Sequence, residues 1–302
     1  MTNLILLGLC LCIGLLLQKV KHLPKDAHIT INTIILHVPL PAIALLSIPV
    51  IEWNFSLISL CFVPWIIWWL SFFLFKGLGK RLSWDKEIIG CLILTSGLGN
   101  TAFVGFPIVE ALYGKEALKH AILIDQPGTF LIVSSFGIWL SALYSSGGIS
   151  KTEMAKRIFL FPPFVASLTA AFLALIGWSA QDEIKGVLEK LAGTLTPLAL
   201  ISVGLQLKWR SISTDLKYLS IGLGYKLFFA PLIIFIIYQF LNIPKDVFQV
   251  AVIESAMAPM ITASILAASH QLRPTLAGLM VGVGVPVSFI TLSIWYFVLK
   301  FF

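Results

Sequence analysis

The sequence predicts an all-α membrane protein of about ten transmembrane helices, arranged as two inverted five-helix repeats in which the fourth and ninth helices are broken and cross. Three observations predict this. Apolar runs near twenty residues follow one another along the chain, the two halves match at a fixed offset, and the penultimate run of each half carries a polar, proline-containing interruption.

The first observation is compositional. The 302 residues are 58% hydrophobic and 12% charged, with a mean hydropathy of +0.97, whereas a soluble domain carries about a quarter charged residues. A helix rises about 1.5 Å per residue, so about twenty apolar residues cross the ~30 Å hydrocarbon core. Runs of that order are expected at 2–18, 29–50, 55–76, 87–113, 118–144, 156–179, 186–207, 214–241, 246–269 and 274–299. They leave no room for a soluble domain.

Residues 2–18 lack a basic start and a small-residue cleavage site, and Lys19, Lys21 and Lys25 follow them. This run reads as a first span rather than a removed leader. Cys10, Cys12, Cys61 and Cys91 all fall in apolar runs and read as buried small hydrophobes, not as a disulfide or metal set.

The formal charge of +7 sits in the connections, which makes it a topology signal and not a nucleic-acid footprint. With the N-terminus outside, the inner connections collect fourteen basic residues: Lys19, Lys21, Lys25, Lys76, Lys80, Arg81, Lys86, Lys151, Lys156, Arg157, Lys208, Arg210, Lys217 and Arg273. The outer side holds six, Lys115, Lys119, Lys185, Lys190, Lys245 and Lys300. Positive-inside asymmetry therefore places both termini outside, in a multi-pass protein expected in the plasma (inner) membrane.

The second observation is the repeat. Pro41 and Pro197, Phe72 and Phe228, Phe73 and Phe229, and Trp139 and Trp295 are all separated by the same 156 residues. Five spans per copy is odd, so successive copies enter the bilayer from opposite sides. The two repeats are expected at residues 1–146 and 151–302, intertwined into one membrane domain.

The third observation locates the chemistry. The fourth run contains Gly97, Gly99, Asn100, Thr101, Gly105 and Pro107, and the ninth contains Glu254, Ser255, Pro259, Thr262 and Ser264. Glycine costs a helix about 1 kcal/mol and interior proline about 3, and proline frees the carbonyl four residues back, here that of Phe103. Gly99, Pro107 and Pro259 are the expected helix breaks. Paired breaks of this kind aim helix N-termini at an anion.

Asn100, Thr101, Ser255 and Thr262 are accordingly the candidate substrate-binding residues. Asp125, Gln126 and Glu254 are the candidates for ion coupling, since an ionisable group inside a span costs about 2.5–3.5 kcal/mol unless it pairs, protonates or binds a cation. The bland reading of Asp125 is a structural pair with Lys119 or His120. Lys226 ranks below the carboxylates because its stem can snorkel. Pro41 and Pro197 are expected to kink the second and seventh spans and line the cavity. Glu110 and His37 are read as helix-end and packing residues, and Gly278, Gly282 and Gly284 as a close-packing surface. No catalytic or metal-binding residue is expected, because the His-Glu-x-x-His, Gly-x-Ser-x-Gly and phosphate-loop patterns are missing from the sequence.

With these residues assembled, the chain resembles the auxin efflux carrier family, which includes plant PIN-type auxin carriers and bacterial permeases for small organic acids. The segment Gly99 to Pro107 carries the resemblance most specifically, followed by Tyr113, Gly114 and Ala117. The stretches Thr196 to Gly204 and Ala256 to Pro259 add to it. The resemblance implies a scaffold and a transport domain, unwound fourth and ninth helices crossing at the substrate site, and Asn100 as a substrate contact. Glu254 is similar to a sodium-binding glutamate of the more distant bile-acid symporters, although Ala258 and Pro259 replace the amides that follow it there. The short connection between the fifth and sixth spans resembles the compact members.

The expected function is a secondary active transporter, permease or efflux carrier, of a small organic anion such as a carboxylate or auxin-like acid, working by alternating access. The alternatives are a sodium-coupled carrier of the bile-acid type and an anion channel or uniporter. The expected partners are the organic anion and the lipid bilayer, with no nucleic acid and a homodimer left open. No cofactor is expected beyond coupling to H+ or Na+.

Overall fold

Long runs of Leu, Ile, Val and Phe in a medium without water must satisfy every backbone group internally, which selects helices. The computed structural model describes residues 2–24, 26–50, 54–144, 160, 162–178, 180–206 and 215–302. Within them the helices are α1 (Thr2–Leu17), α2 (Ala27–His37), α3 (Pro39–Ser47), α4 (Phe55–Arg81), α5 (Lys86–Gly97), α6 (Phe106–Tyr113), α7 (Leu118–Ile124) and α8 (Ile138–Tyr144). The second half contributes α9 (Pro162–Leu175), α10 (Asp182–Ala192), α11 (Leu195–Gln206), α12 (Leu216–Gly224), α13 (Ala230–Gln239), α14 (Lys245–Ser255), α15 (Ile261–Ser269) and α16 (Pro274–Leu299). Among the described residues the β-type pairing is one isolated antiparallel bridge, between Gly99 and Pro259.

Among the described residues six helical stretches are long and apolar enough to cross a membrane: Ala27–Val50, Phe55–Arg81, Lys115–Tyr144, Asp182–Leu205, Leu216–Gln239 and Pro274–Leu299. They coincide with the second, third, fifth, seventh, eighth and tenth expected spans. Gly8–Leu17, Thr101–Tyr113 and Pro162–Leu175 are shorter apolar helices, and the fourth and ninth expected spans are interrupted. The start of the expected sixth span lies outside the described residues, as do Lys25, Lys151, Lys156, Arg157, Lys208 and Arg210 of the charge count.

The chain forms two compact units that draw on both halves. The first comprises Met1–Asn54, Ala102–Ile122 and Phe159–Leu207, and the second Phe55–Thr101, Leu123–Ile158 and Lys208–Phe302.

In the first unit, α1 lies along α11 at very close range. A Cβ on Gly14 would fall 2.4 Å from the Ile201 carbonyl oxygen and 2.8 Å from Gly204 Cα, so only glycine allows the approach. Gln18 Nε2 donates to the Gly204 carbonyl at 2.7 Å, and Ser202 Oγ donates to Asn32 Oδ1 at 2.5 Å, tying α11 to α2. The second span bends at Val38 (φ −121°, ψ −76°), where Pro39 opens α3. Proline suits a first helical turn because its missing N–H would have no partner there. The seventh span restarts likewise at Leu195, so Pro41 and Pro197 each occupy the third position of a resumed helix.

In the second unit, α4 packs against α5 and on the turn Asp125–Phe130. Gly128 lets that turn reach Pro64, whose Cγ would lie 2.6 Å from an added Cβ, and Trp65 Nε1 donates to the Pro127 carbonyl at 3.0 Å. Pro231 cannot donate to the Leu227 carbonyl four residues back, and Trp295 Nε1 does so instead at 3.0 Å. The matched pair Trp139 and Trp295 therefore differ in surroundings: Trp295 is buried, whereas Trp139 is exposed. Asp215 precedes α12 and Arg273 precedes α16, and Arg273 Nε and Nη2 both donate to Asp215 Oδ1, at 3.1 and 3.0 Å. The buried Asp215 carboxylate raises the Arg273 guanidinium pKa further above its ordinary value.

Two sequence expectations need correction here. Cys12 is exposed rather than buried, which an apolar surface facing lipid permits. Gly278 meets no neighbour, whereas a Cβ on Gly284 would fall 2.7 Å from Pro259 Cδ, so of these two glycines only Gly284 is closely packed.

Candidate functional site

Both expected breaks are present, and they lie against each other. α5 ends at Gly97, Leu98 is extended (φ −119°, ψ 126°), and helix resumes at Thr101 as a π-turn, Thr101–Gly105. α14 ends at Ser255, and α15 begins at Ile261 after Met260 in extended conformation. The Asn100 N–H donates to the Ala258 carbonyl at 2.8 Å, and the Met260 N–H to the Leu98 carbonyl at 3.0 Å. Each interruption thus satisfies backbone groups of the other, which answers how two stretches of unwound backbone tolerate burial.

Gly99 and Pro259 form the centre of this pairing. Pro107 lies seven residues after Asn100, early in α6 and just beyond the π-turn. Such a turn is a usual accommodation for a proline that cannot donate within a helix.

Around the breaks the structure gathers buried polar groups from separate elements of the second unit. Asn100, Glu254, Ser255 and Lys226 are each 1% exposed. Asp125 accepts hydrogen bonds from Thr101 Oγ1 at 2.5 Å and from Gln126 Nε2 at 2.7 Å. The acid is held by the break itself, and Lys119 lines a different cavity. Asp125, Gln126, Thr101 and Lys226 all occupy π-turns, a local geometry frequent at functional sites.

Lys226 Nζ donates to the Ser255 carbonyl at 2.8 Å, at the C-terminal end of α14. A Cβ on Gly99 would fall 3.0 Å from that ammonium, so glycine keeps the seat open. Lys226 does not snorkel. It is ten residues from Leu216 and thirteen from Gln239, about 15 Å or more of helix from either end. Its position near mid-span is the sequence signal for this burial.

Neither carboxylate oxygen of Glu254 has a hydrogen-bond partner among the described residues, nor has Gln126 Oε1 or Thr129 Oγ1. Glu254, Lys226, Thr101, Thr129, Ser255 and Gly99 share the wall of a cavity of about 10 Å³ with Pro64 and Ile67. That is room for about one water-sized guest. Thr129 joins the cluster from the π-turn that carries Asp125, which the sequence did not single out.

Thr262, expected beside Ser255, is exposed on the second residue of α15 and is not part of the cluster. Pro41 and Pro197 belong to the first unit. There Ile43 and Leu195, their neighbours in sequence, line a cleft of about 270 Å³ together with Glu110. Glu110 Oε2 accepts a hydrogen bond from Thr196 Oγ1 at 2.7 Å. His37 Nδ1 bonds its own helix at the Thr33 carbonyl, 2.8 Å away.

A family model described as "Membrane transport protein" matches residues 1–151 and 149–296. The chain belongs to this membrane transport protein family. It is the auxin efflux carrier family that Gly99 to Pro107 resembles. The family match fits the apolar helices, and the protein is an integral membrane protein of a transporter family rather than of an enzyme family. Two relatives of this membrane transport protein are similar along nearly their whole length. An "uncharacterized transporter" of Methanothermobacter thermautotrophicus is 28% identical over 291 residues, covering 95% of this chain and 94% of its own. An "uncharacterized transporter" of Methanocaldococcus jannaschii is 24% identical over 290 residues, with 93% of each chain covered.

Proposed function

We propose that this membrane transport protein is a secondary transporter of a small organic anion, working by alternating access around its two helix interruptions. The abutment of the breaks at a buried ammonium carries the reading. Asn100 and Met260 exchange backbone bonds with the opposite break, and Lys226 sits at Gly99 and Ser255. Helix N-termini present N–H groups and positive dipole ends to an anion, and the Lys226 ammonium adds a full positive charge beside them. Asn100 and Thr101 then contact the substrate carboxylate when alternating access widens the space of about 10 Å³ at the breaks.

The inverted repeat organises this reading. α2 and α10, α3 and α11, α6 and α15, and α7 and α16 begin 155 or 156 residues apart. Each compact unit takes corresponding pieces of the two halves, with Met1–Asn54 and Phe159–Leu207 together in the first. Ten spans follow if the six long helices are joined by the first and sixth short ones and by the two interrupted spans.

Coupling belongs to the carboxylates. Glu254 interacts with both Asp125 and Lys226, so two carboxylates share one ammonium and the ionised cluster holds one uncompensated negative charge in a low-dielectric interior. Uptake of one H+ or Na+ neutralises it and lowers the cost of moving the cluster through the bilayer.

The test is counterflow in proteoliposomes loaded with unlabelled acid. Labelled carboxylate uptake should saturate, show competition between acids and respond to an imposed pH or sodium gradient. Ohmic currents of many ions per opening would instead make the protein a channel.

A further inference from the structure

The cavity at the breaks holds about 10 Å³, too little for an organic acid, whereas the cleft in the first unit holds about 270 Å³. That is just under the ~300–1,000 Å³ of drug-sized ligand pockets and suits a smaller guest. We propose that this cleft is a separate binding subsite for a small monocarboxylate with an apolar body. The inference rests on reading the protein as an organic-anion transporter and adds a binding place apart from the helix breaks.

The floor of the cleft is apolar: Ile43, Leu46, Leu118 and Leu195. Its charged lining consists of Lys115, Lys119 and Lys185 with Glu110, Glu116 and Glu189. Among the described residues none of the three lysines forms an ion pair, so cations and anions surround the space without collapsing onto one another. Thr196 engages Glu110 and fixes one carboxylate at the wall.

Lys115, Lys119 and Lys185, from two separate segments, line one volume, which suits a guest that carries a carboxylate. Glu110, Glu116 and Glu189 line the same space, so a second carboxylate on the guest meets like charge. The apolar floor rewards a hydrocarbon tail instead. The wall that carries Glu110 is α6, the continuation of the helix that restarts at Thr101.

Isothermal titration of the full chain in lipid nanodiscs tests this with hexanoate as the probe and succinate and hexylammonium as controls. Hexanoate should bind more tightly than either control. The triple substitution Lys115→Gln, Lys119→Gln, Lys185→Gln should weaken it about tenfold or more, and the corresponding triple Lys→Arg change should restore it. Asn100→Ala should keep this binding while losing counterflow.

Absence of hexanoate binding, a preference for succinate, unchanged binding in the triple Gln variant, or loss of binding in Asn100→Ala would each overturn the subsite. The two readings fail separately. Saturable counterflow with unaltered binding in the triple Gln variant removes the cleft and leaves the transporter. Lysine-dependent binding without counterflow of any acid removes the transporter and leaves the cleft.

Discussion

Lys226 is buried at the place where the two interrupted helices meet, and its neighbours give it one firm bond and one electrostatic partner. The bond is to the Ser255 carbonyl and the partner is Glu254. Replacing it with Met leaves that carbonyl and the Glu254 carboxylate uncompensated, and breaking a buried charge pair in this way costs about 3 kcal/mol or more. Lys226→Met should therefore lower the thermal unfolding midpoint in detergent, and adding Glu254→Gln should recover part of the loss. A double variant no more stable than Lys226→Met alone would show that the two groups do not compensate each other. Gly99→Ala tests the same seat sterically. The new Cβ crowds the ammonium at 3.0 Å, so transport should fall sharply while the unfolding midpoint moves little.

At the scale of elements, helices α1 and α11 depend on one glycine facing another. Gly14→Val drives a branched side chain into the backbone of Ile201 and Gly204, and overpacking of this kind costs about 1–3 kcal/mol. The variant should elute as aggregate or unfold earlier on heating, whereas Gly8→Val, where nothing lies within 4 Å, should behave as wild type.

Much at this scale was legible in the sequence. The helical nature of the runs followed from hydropathy, and the breaks followed from glycine, asparagine and proline in otherwise apolar segments. The meeting of Asp125 with Thr101 was not legible, because a π-turn shifts the facing of side chains relative to an ordinary helix. Thr262 illustrates the converse. Its place beside a break suggested a contact, but it is exposed on α15, and composition carries no information on which side of a short helix a residue lies. The cleft floor was also hidden, since Ile43, Leu118 and Leu195 are 75 or more residues apart in order along the chain and look like any other apolar positions.

For the whole molecule, the basic residues predict an orientation that labelling can check. A cysteine introduced at His22, in the first connection, into a background without Cys10, Cys12, Cys61 and Cys91, should react with a membrane-impermeant maleimide only from the inner side. One introduced at Lys185 should react only from the outer side. The reverse pattern would invert the assignment of both termini. The two compact units each take pieces from both halves of the sequence, so neither half contains all the residues of either unit. Separate expression of residues 1–146 or 151–302 should yield protein that is degraded or aggregated, and co-expression of the two should restore some of the folded form.

The bridge between Gly99 and Pro259 has a consequence for hydrogen exchange. Pro259 carries no amide proton, so the seam is held by the amides of Asn100 and Met260, one contributed by each half of the sequence. A two-rung ladder has no stability of its own and lasts only while both sets of flanking helices hold it. The two protons should therefore trade with deuterium at one shared rate, and a lesion in either half should quicken both together.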